Sequence, residues 1–252
     1  MKQFDIAESQ VEREGPANFN AGRADKKVNY VIRLFSDGPE EYDFLLKILS
    51  LGRDNYWRES LIREAAVGHG SLVLDIACGT GLVTYQFADK GVRVVGIDVT
   101  KEMLRRATHL APYAICDVDF IQARAENLPL RSDVFDASTI SLAMRNVSSQ
   151  TETLDEMRRC TKKGCRVISL DFAKPRSSLF KPFYNFYIFK LLPAMGFLIS
   201  RHWNTIFLYL ANSIERAREP EQITWTMQKV GLAKASIRRM THGVTALVSG
   251  TR

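Results

Sequence analysis

No two of the four cysteines, Cys78, Cys116, Cys160 and Cys165, stand at a C-x-x-C or zinc-like spacing, which argues against a disulfide framework and a metal site. Reduced, intracellular thiols are the plain reading. The histidines, His69, His109, His202 and His242, are equally scattered and form no ligand pair. Long apolar runs are also missing. Residues 191–200 are uncharged but contain Pro193 and Gly196, and the run falls well short of the ~20 residues of a spanning helix. Residues 1–15 are charged rather than apolar and lack an Arg/Ser bias, so neither a secretory signal nor a transit peptide is expected. There is no internal repeat and no low-complexity tract.

What is present is 252 residues with 35 Lys and Arg against 28 Asp and Glu, a net charge of +7. The length suits one α/β domain with an insertion. The charge fits an RNA, an anionic membrane surface or an anionic substrate, and does not choose among them. The chain is organised around residues 73–81, Val-Leu-Asp-Ile-Ala-Cys-Gly-Thr-Gly. A buried strand over 72–76 breaks into a glycine turn and passes at once into helical sequence, 82–89. Gly79 and Gly81 permit positive φ and close approach of a ligand, while amides at the helix start offer donors. A second strand over 92–97 ends at Asp98, followed by Val99, and this carboxylate is placed to accept both hydroxyls of a ribose. The pair indicates an adenosine-containing ligand.

A dinucleotide fingerprint needs G-x-G-x-x-G, and here Leu82, Val83 and Thr84 follow Gly81 with no third glycine. Asp75, at the end of the strand, suits a cationic methionine-like group and repels a pyrophosphate. S-adenosylmethionine is therefore the favoured cofactor. The plain alternative is a tight turn in an α/β domain that binds nothing.

Along the chain, 1–27 is polar and reads as a poorly ordered arm, and 28–252 as a single domain. Apolar residues at helical spacing predict a small helical layer over 28–66, broken at Asp37-Gly38-Pro39. Strands and helices then alternate: strands over 118–123, 134–141 and 166–172, helices over 101–110 and 154–161. That order predicts a largely parallel, doubly wound sheet. Between 177 and 216 aromatics accumulate, among them Phe183, Tyr184, Phe186, Phe197 and Trp203, with Lys181, Lys190 and Arg201 interspersed. Pro193 is expected to divide this insertion into two helices. Its apolar residues occupy nearly every face, more than one core-facing stripe requires, which favours a hydrophobic substrate channel or a membrane-resting face. A helix over 221–230, stopped by Gly231, and two strands over 235–240 and 244–249 close the chain.

These pieces together resemble the ubiquinone and menaquinone biosynthesis C-methyltransferase family from about residue 28 to 250. The resemblance rests on Tyr42-Asp43, Ser50-x-Gly52 and Trp57-Arg58, the loop Asp75 to Gly81, and Gly96-Ile-Asp98 with Met103-Leu104. It is most specific in Ala125-Glu126-x-Leu128-Pro129, Ser141-x-x-x-Arg145-Asn146-Val147 and Asp171-Phe-x-Lys174-Pro175. Leu192-Pro193-x-x-Gly196, Tyr209-Leu210-x-x-Ser213-Ile214 and Thr241-x-Gly243 complete it. The resemblance implies a class I methyltransferase (Rossmann-like) fold with a seven-stranded, mostly parallel sheet. It implies S-adenosylmethionine as cofactor and methyl transfer to a ring carbon of a prenylated quinol. Thr80, Asp98, Arg124 with Ala125, and Ser141 occupy the family's cofactor-contacting positions, with the backbone of Arg124 expected to face the adenine. The chain departs from the pattern at Leu45-Leu46, Asp54-Asn55, Leu82 and Asn212, so the particular quinone stays open.

A ring carbon becomes nucleophilic when the neighbouring hydroxyl ionises, so a phenol pKa of ~10 must be depressed and the carbon held in line with the methyl. Arg145 is assigned the electrostatic part, with Asn146 holding the ring hydroxyl or a water; a structural salt bridge is the alternative for Arg145. His202 is a candidate base. Tyr42, Tyr209 and Arg216 are candidates for lining the ring pocket. The positive charge raises an RNA methyltransferase, but no Asn/Asp-Pro-Pro-aromatic element follows the fourth strand and no appended RNA-binding motif is visible. Another lipid acceptor and a non-catalytic cofactor-binding scaffold remain as alternatives. The expected partners are a hydrophobic quinol, an anionic membrane surface on the cytoplasmic inner face, and a second copy of the chain, with no nucleic acid.

Overall fold

The computed structural model describes residues 21–36, 38–110 and 117–252. The first helix, α1 (Ala21–Ser36), already covers the last part of the stretch expected to be an unstructured arm; residues 1–20 lie outside the described residues. Helices α2 (Pro39–Leu49) and α3 (Asp54–Ala65) complete the N-terminal layer. Pro39 stands in the first turn of α2, where a missing N–H costs nothing. α3 buries Trp57, Leu61, Ile62 and Ala65 on one face, and the Trp57 indole donates to Thr241 Oγ1 at 2.7 Å.

Strands and helices then alternate as β1 (Leu72–Ile76), α4 (Leu82–Ala88), β2 (Arg93–Asp98), α5 (Lys101–Leu110), β3 (Val118–Gln122), β4 (Phe135–Ser141), α6 (Gln150–Cys160) and β5 (Thr161–Phe172). After the insertion come α10 (Pro220–Lys229), β6 (Ala233–Met240) and β7 (Thr245–Thr251). The seven strands lie in the order β3-β2-β1-β4-β5-β7-β6, and only β7 runs antiparallel to its neighbours, against both β5 and β6. Strand alternation sorts the core into two faces. Val73 packs with α3, α4 and the insertion, whereas Leu74 and Ile76 pack with Leu154, Met157, Ile223 and Met227.

Three boundaries differ from expectation. α6 starts four residues early, at Gln150, because Ser149 caps it by accepting from the Glu152 amide. β5 starts at Thr161, since its polar first residues still find partners: the Gly164 amide donates to the Arg252 carbonyl and the Arg252 amide to the Cys165 carbonyl at the sheet end. The insertion is not divided at Pro193. Helix α7 (Phe180–Phe186), a π turn (Tyr187–Leu191) and α8 (Leu192–Ile199) run on continuously. The wider π turn comes directly before the proline and makes room for its ring. The break falls at Ser200, whose hydroxyl caps α9 (Arg201–Glu215).

The resulting Phe180–Ile199 helix has 20 residues and is long and apolar enough, by length and composition, to cross a membrane. The uncharged run noted in the sequence, 191–200, supplies only its second half, and Lys181 and Lys190 lie in the first. Tyr184, Ile188 and Leu192 form a stripe buried against the domain, while Phe197 and Leu198 on the other side are 73% and 83% exposed.

Candidate active site

β1 through β4 are parallel, and chain order reverses between β1 and β4, which is where open α/β sheets bind ligands. A cleft opens there, lined by residues of α1, the turn after β1, the end of β2 and the loops after β3 and β4, at the place where small-molecule sites of such sheets collect. The residues at both strand exits, Ala77 (φ 52°) and Leu142 (φ 56°), are left-handed without being glycine and both line the cleft. Such backbone costs of order 1 kcal/mol each and collects at functional sites.

One wall is made by the turn after β1 and the end of β2. Gly79 (φ 56°) lines the cleft with open space where a Cβ would be, a cradle for close approach. Gly81 (φ 85°) begins α4, and a Cβ there would meet the Tyr85 ring at 2.8 Å. Asp98 is tied to this loop: its Oδ2 accepts from the Gly79 amide at 2.9 Å and its Oδ1 from the Thr100 amide at 2.8 Å. Burial pushes its carboxyl upward, against these backbone hydrogen bonds. Val99, Ala125 and Ser141 also line the cleft, as does Arg124. The Arg124 guanidinium is committed to Asp25 at 2.6 Å and Ser148 at 3.2 Å.

Gly81 falls outside the lining, and two more residues expected on this wall lie behind it. Asp75 is 1% exposed, and its carboxylate accepts from Thr84 at 2.7 Å and Thr139 at 3.0 Å. It shares the Val73 face of β1 and therefore points at α4 rather than along the strand axis into the cleft. It is a bracing group, not a wall residue. Burial raises its pKa to about 6, with hydrogen bonds from Thr84 and Thr139 pulling the other way. Thr80 is buried and donates to Asp43 of α2 at 2.6 Å, coupling the glycine turn to the helical layer.

The opposite wall is aromatic. Tyr42 lines the cleft beside Phe35, whose ring meets it edge-on at 5.6 Å. Tyr209, expected in the lining, lies behind it: it packs against Tyr30 at 5.5 Å and Phe35 at 6.3 Å, and its hydroxyl donates to Asn146 Oδ1 at 2.9 Å. With that oxygen taken, the Asn146 amide N–H groups are what remain for a ligand. Burial raises both Tyr42 and Tyr209 to about 12.

Arg145 does not reach the cleft wall. Its side chain is 4% exposed, ion-paired to Asp171 and bonded to the Leu142 carbonyl. Nε donates to Ser213 at 3.3 Å, and the guanidinium lies 5.1 Å from the Phe172 ring centre. Asp171 also accepts from the Arg145 amide at 2.9 Å, so one carboxylate clamps both backbone and side chain. The Arg145 charge is still felt by the hydroxyls of Tyr42, Tyr184 and Tyr209.

His202 is not brought into the cleft either. Its ring lies over Gly38, where a Cβ would sit 2.8 Å from Nε2. Arg216 is exposed at the end of α9, outside the lining. Among the described residues no group of three or more His, Cys, Asp or Glu gathers as a metal site.

The sequence reading missed Lys27, and it named Glu126 in a motif without giving it a role. Lys27, on α1, donates to the carbonyls of Arg145 at 3.1 Å and Val147 at 2.7 Å. Burial lowers its pKa, partly opposed by Glu126. Glu126 accepts from the Ser148 amide and hydroxyl, both at 2.6 Å. Burial alone would raise its carboxyl, but hydrogen bonds from Ser148 and Ser149 outweigh that and hold it below the usual range. Together they latch α1 and the loop after β3 onto the loop after β4. The position of Glu126 after a strand was a usable signal; nothing local marks Lys27.

The open Gly79 cradle, the anchored Asp98 and the apolar side chains of Ile97, Val99 and Met103 beside them fit an adenosine-bearing cofactor. Comparison with known proteins points the same way. Residues 23–252 match the ubiE/COQ5 methyltransferase family. The ubiquinone/menaquinone biosynthesis C-methyltransferase UbiE of Marinomonas sp. (strain MWYL1) is 37% identical over 232 residues, 90% of this chain and 92% of its own. The demethylmenaquinone methyltransferase of Paenarthrobacter aurescens (strain TC1) is 33% identical over 90% of this chain and 88% of its own. Among solved structures, Haemonchus contortus phosphoethanolamine N-methyltransferase 2, in complex with S-adenosyl-L-methionine, superposes with a TM-score of 0.64. It has 14% identity and covers 88% of this chain and 60% of its own, a likeness of fold alone.

Proposed function

The chain belongs to the ubiE/COQ5 methyltransferase family. From that premise we propose that it transfers the methyl group of S-adenosylmethionine to a ring carbon of a prenylated quinol, of the demethylmenaquinol or 2-methoxy-6-polyprenyl-benzoquinol type, at a membrane surface. One observation carries this reading: a single cleft has a glycine cradle with an anchored carboxylate on one wall and Tyr42, Phe35 and Asn146 on the other.

When bound, S-adenosylmethionine supplies an electrophilic sulfonium methyl. The chain does the rest. Gly79 and Asp98 would hold the ribose, with Val99, Ala125 and Ser141, which line the same cleft, around the nucleoside. Tyr209 fixes the Asn146 amide so that its N–H groups meet the ring oxygen as charge develops there. Arg145 favours the phenolate by its field rather than by contact, because the surroundings are buried and of low dielectric. It takes no proton, being already protonated, so the phenolic proton passes to water, and once the methyl is bonded the ring carbon releases its own hydrogen as a proton, which restores the aromatic phenol. Phe35 and Tyr42 would flank the ring and help exclude bulk solvent, backed by Tyr209 against Phe35 and Tyr30 against Tyr209.

The Phe180–Ile199 helix lies on the membrane rather than through it. Tyr184, Ile188 and Leu192 stay packed in the domain core, and the Tyr187 hydroxyl donates to the Ile48 carbonyl. Phe183, Phe186, Phe197 and Leu198 face outward, with Lys181, Lys190 and Arg201 exposed around them to meet anionic headgroups.

Mass spectrometry of the purified protein with S-adenosylmethionine and reduced short-tail demethylmenaquinol or benzoquinol acceptors tests this function. A gain of one ring methyl that depends on prior reduction supports it; cofactor binding without transfer to either acceptor overturns the quinol assignment. Flotation with anionic vesicles tests the surface: replacing Lys181, Lys190 and Arg201 together should release the protein, and undiminished binding would refute the electrostatic part.

A further inference from the structure

Arg58, on α3, is 7% exposed, yet neither its Nε nor its Nη1 has a hydrogen-bond partner among the described residues. Its contact with Asp54, 2.7 Å from Nη1 to Oδ2, is an ion pair without hydrogen-bond alignment. The other Asp54 oxygen accepts from Ser50 at 3.0 Å. A guanidinium carries five N–H donors in a rigid fork and does not discharge, so burying it with its donors unfilled is costly. The arrangement makes sense if an anion completes it.

Its place in the fold says which anion. The first turn of α3 abuts α4, which begins at the glycine turn: Gln86 donates to Asn55 at 2.7 Å. The preceding helix carries Asp43, which holds Thr80 of that same turn. The Arg58 charge also reaches the hydroxyl of Tyr42, a cleft-wall residue. The acids in this half, Asp43, Asp54, Asp75 and Asp98, all repel a carboxylate, and Arg58 is the cation among them. The other basic groups around the cleft are engaged: Arg124 with Asp25, Arg145 with Asp171, and Lys27 with two backbone carbonyls.

Resting on the S-adenosylmethionine reading, we propose that Arg58 receives the α-carboxylate at the amino-acid end of the cofactor through its unused Nε and Nη1 donors, with Asp54 holding the fork in position. Charge-assisted hydrogen bonds of this kind correspond to about ten- to hundredfold in affinity.

Calorimetry with two ligands tests this. S-adenosylhomocysteine has the amino-acid end; 5′-methylthioadenosine keeps the adenosine and lacks it. Arg58→Met should weaken S-adenosylhomocysteine by about ten- to hundredfold and leave 5′-methylthioadenosine unchanged, and Arg58→Lys should restore part of the loss. Equal weakening of both ligands, or of neither, overturns the assignment. Should Arg58→Met fail to fold because it strands Asp54, the Asp54→Asn/Arg58→Met double variant takes the same two measurements and is judged by the same outcomes. A wild-type protein that binds neither ligand overturns the cofactor reading itself, and this inference with it.

Discussion

The two walls of the cleft are built in different ways. The cofactor wall is short-range: Gly79, Asp98 and Thr100 lie within one strand–turn–helix–strand passage, and backbone amides make its key bonds. The acceptor wall is assembled from segments far apart in the chain. Tyr209 reaches Asn146 across 63 residues, and Lys27 reaches Val147 across 120. The first wall depends on backbone conformation, the second on side chains that several helices must deliver together. Damage to the two should therefore separate in binding and in turnover.

The heaviest loss is expected from Asp98→Ala on the cofactor wall. It leaves the Gly79 and Thr100 amides without their acceptor and removes the ribose contact. Calorimetry should show S-adenosylhomocysteine binding weakened by roughly a hundredfold or more. Behind the acceptor wall, Asp171→Asn breaks a buried ion pair and weakens the hold on the backbone of Arg145. A stability loss of about 3 kcal/mol in urea unfolding is expected, together with a fall in kcat that leaves S-adenosylhomocysteine affinity within about twofold. A comparable drop in cofactor affinity would show the walls to be one cooperative unit.

Asp75 gives a pH test of the bracing behind the cofactor wall. Its folded pKa, about 6, lies above the ordinary aspartate value of 3.8. Between those values the folded state binds more protons than the unfolded state, so stability from this group rises as pH falls from 7 through 6 towards 4. Asp75→Asn should remove that rise, raising the melting temperature at pH 7.5 relative to wild type and narrowing the difference at pH 5. Thermal melts at the two pH values measure it; a wild-type response that persists in the variant would assign the effect elsewhere. The mildest change is Tyr209→Phe, which takes one donor from Asn146. At about 1 kcal/mol, it should raise KM for the quinol about fivefold and spare cofactor binding.

The glycine turn and the acid after β2 were legible because each depends on a few neighbouring residues: φ tolerance at Gly79 and Gly81, and a strand ending in a carboxylate. The alternation that predicts the doubly wound sheet is local in the same sense. Asp75 was misplaced because pleat alternation says only that it opposes Leu74 and Ile76, not which face carries α4. The insertion was divided at Pro193 because proline removes a helical hydrogen bond. A π turn absorbed that loss, while the Ser200 cap made the real break.

Sequence alone settled the order of strands and helices, the cofactor turn and the family resemblance, since these follow from backbone preferences and short spacings. Tertiary structure decided that Arg145 is spent on Asp171, that His202 rests on Gly38 away from the cleft, that α1 is latched by Lys27, and that Arg58 is buried with donors unused. Whether a charge is paired, screened or available depends on which distant segments fold against it, and no local pattern of residues encodes that.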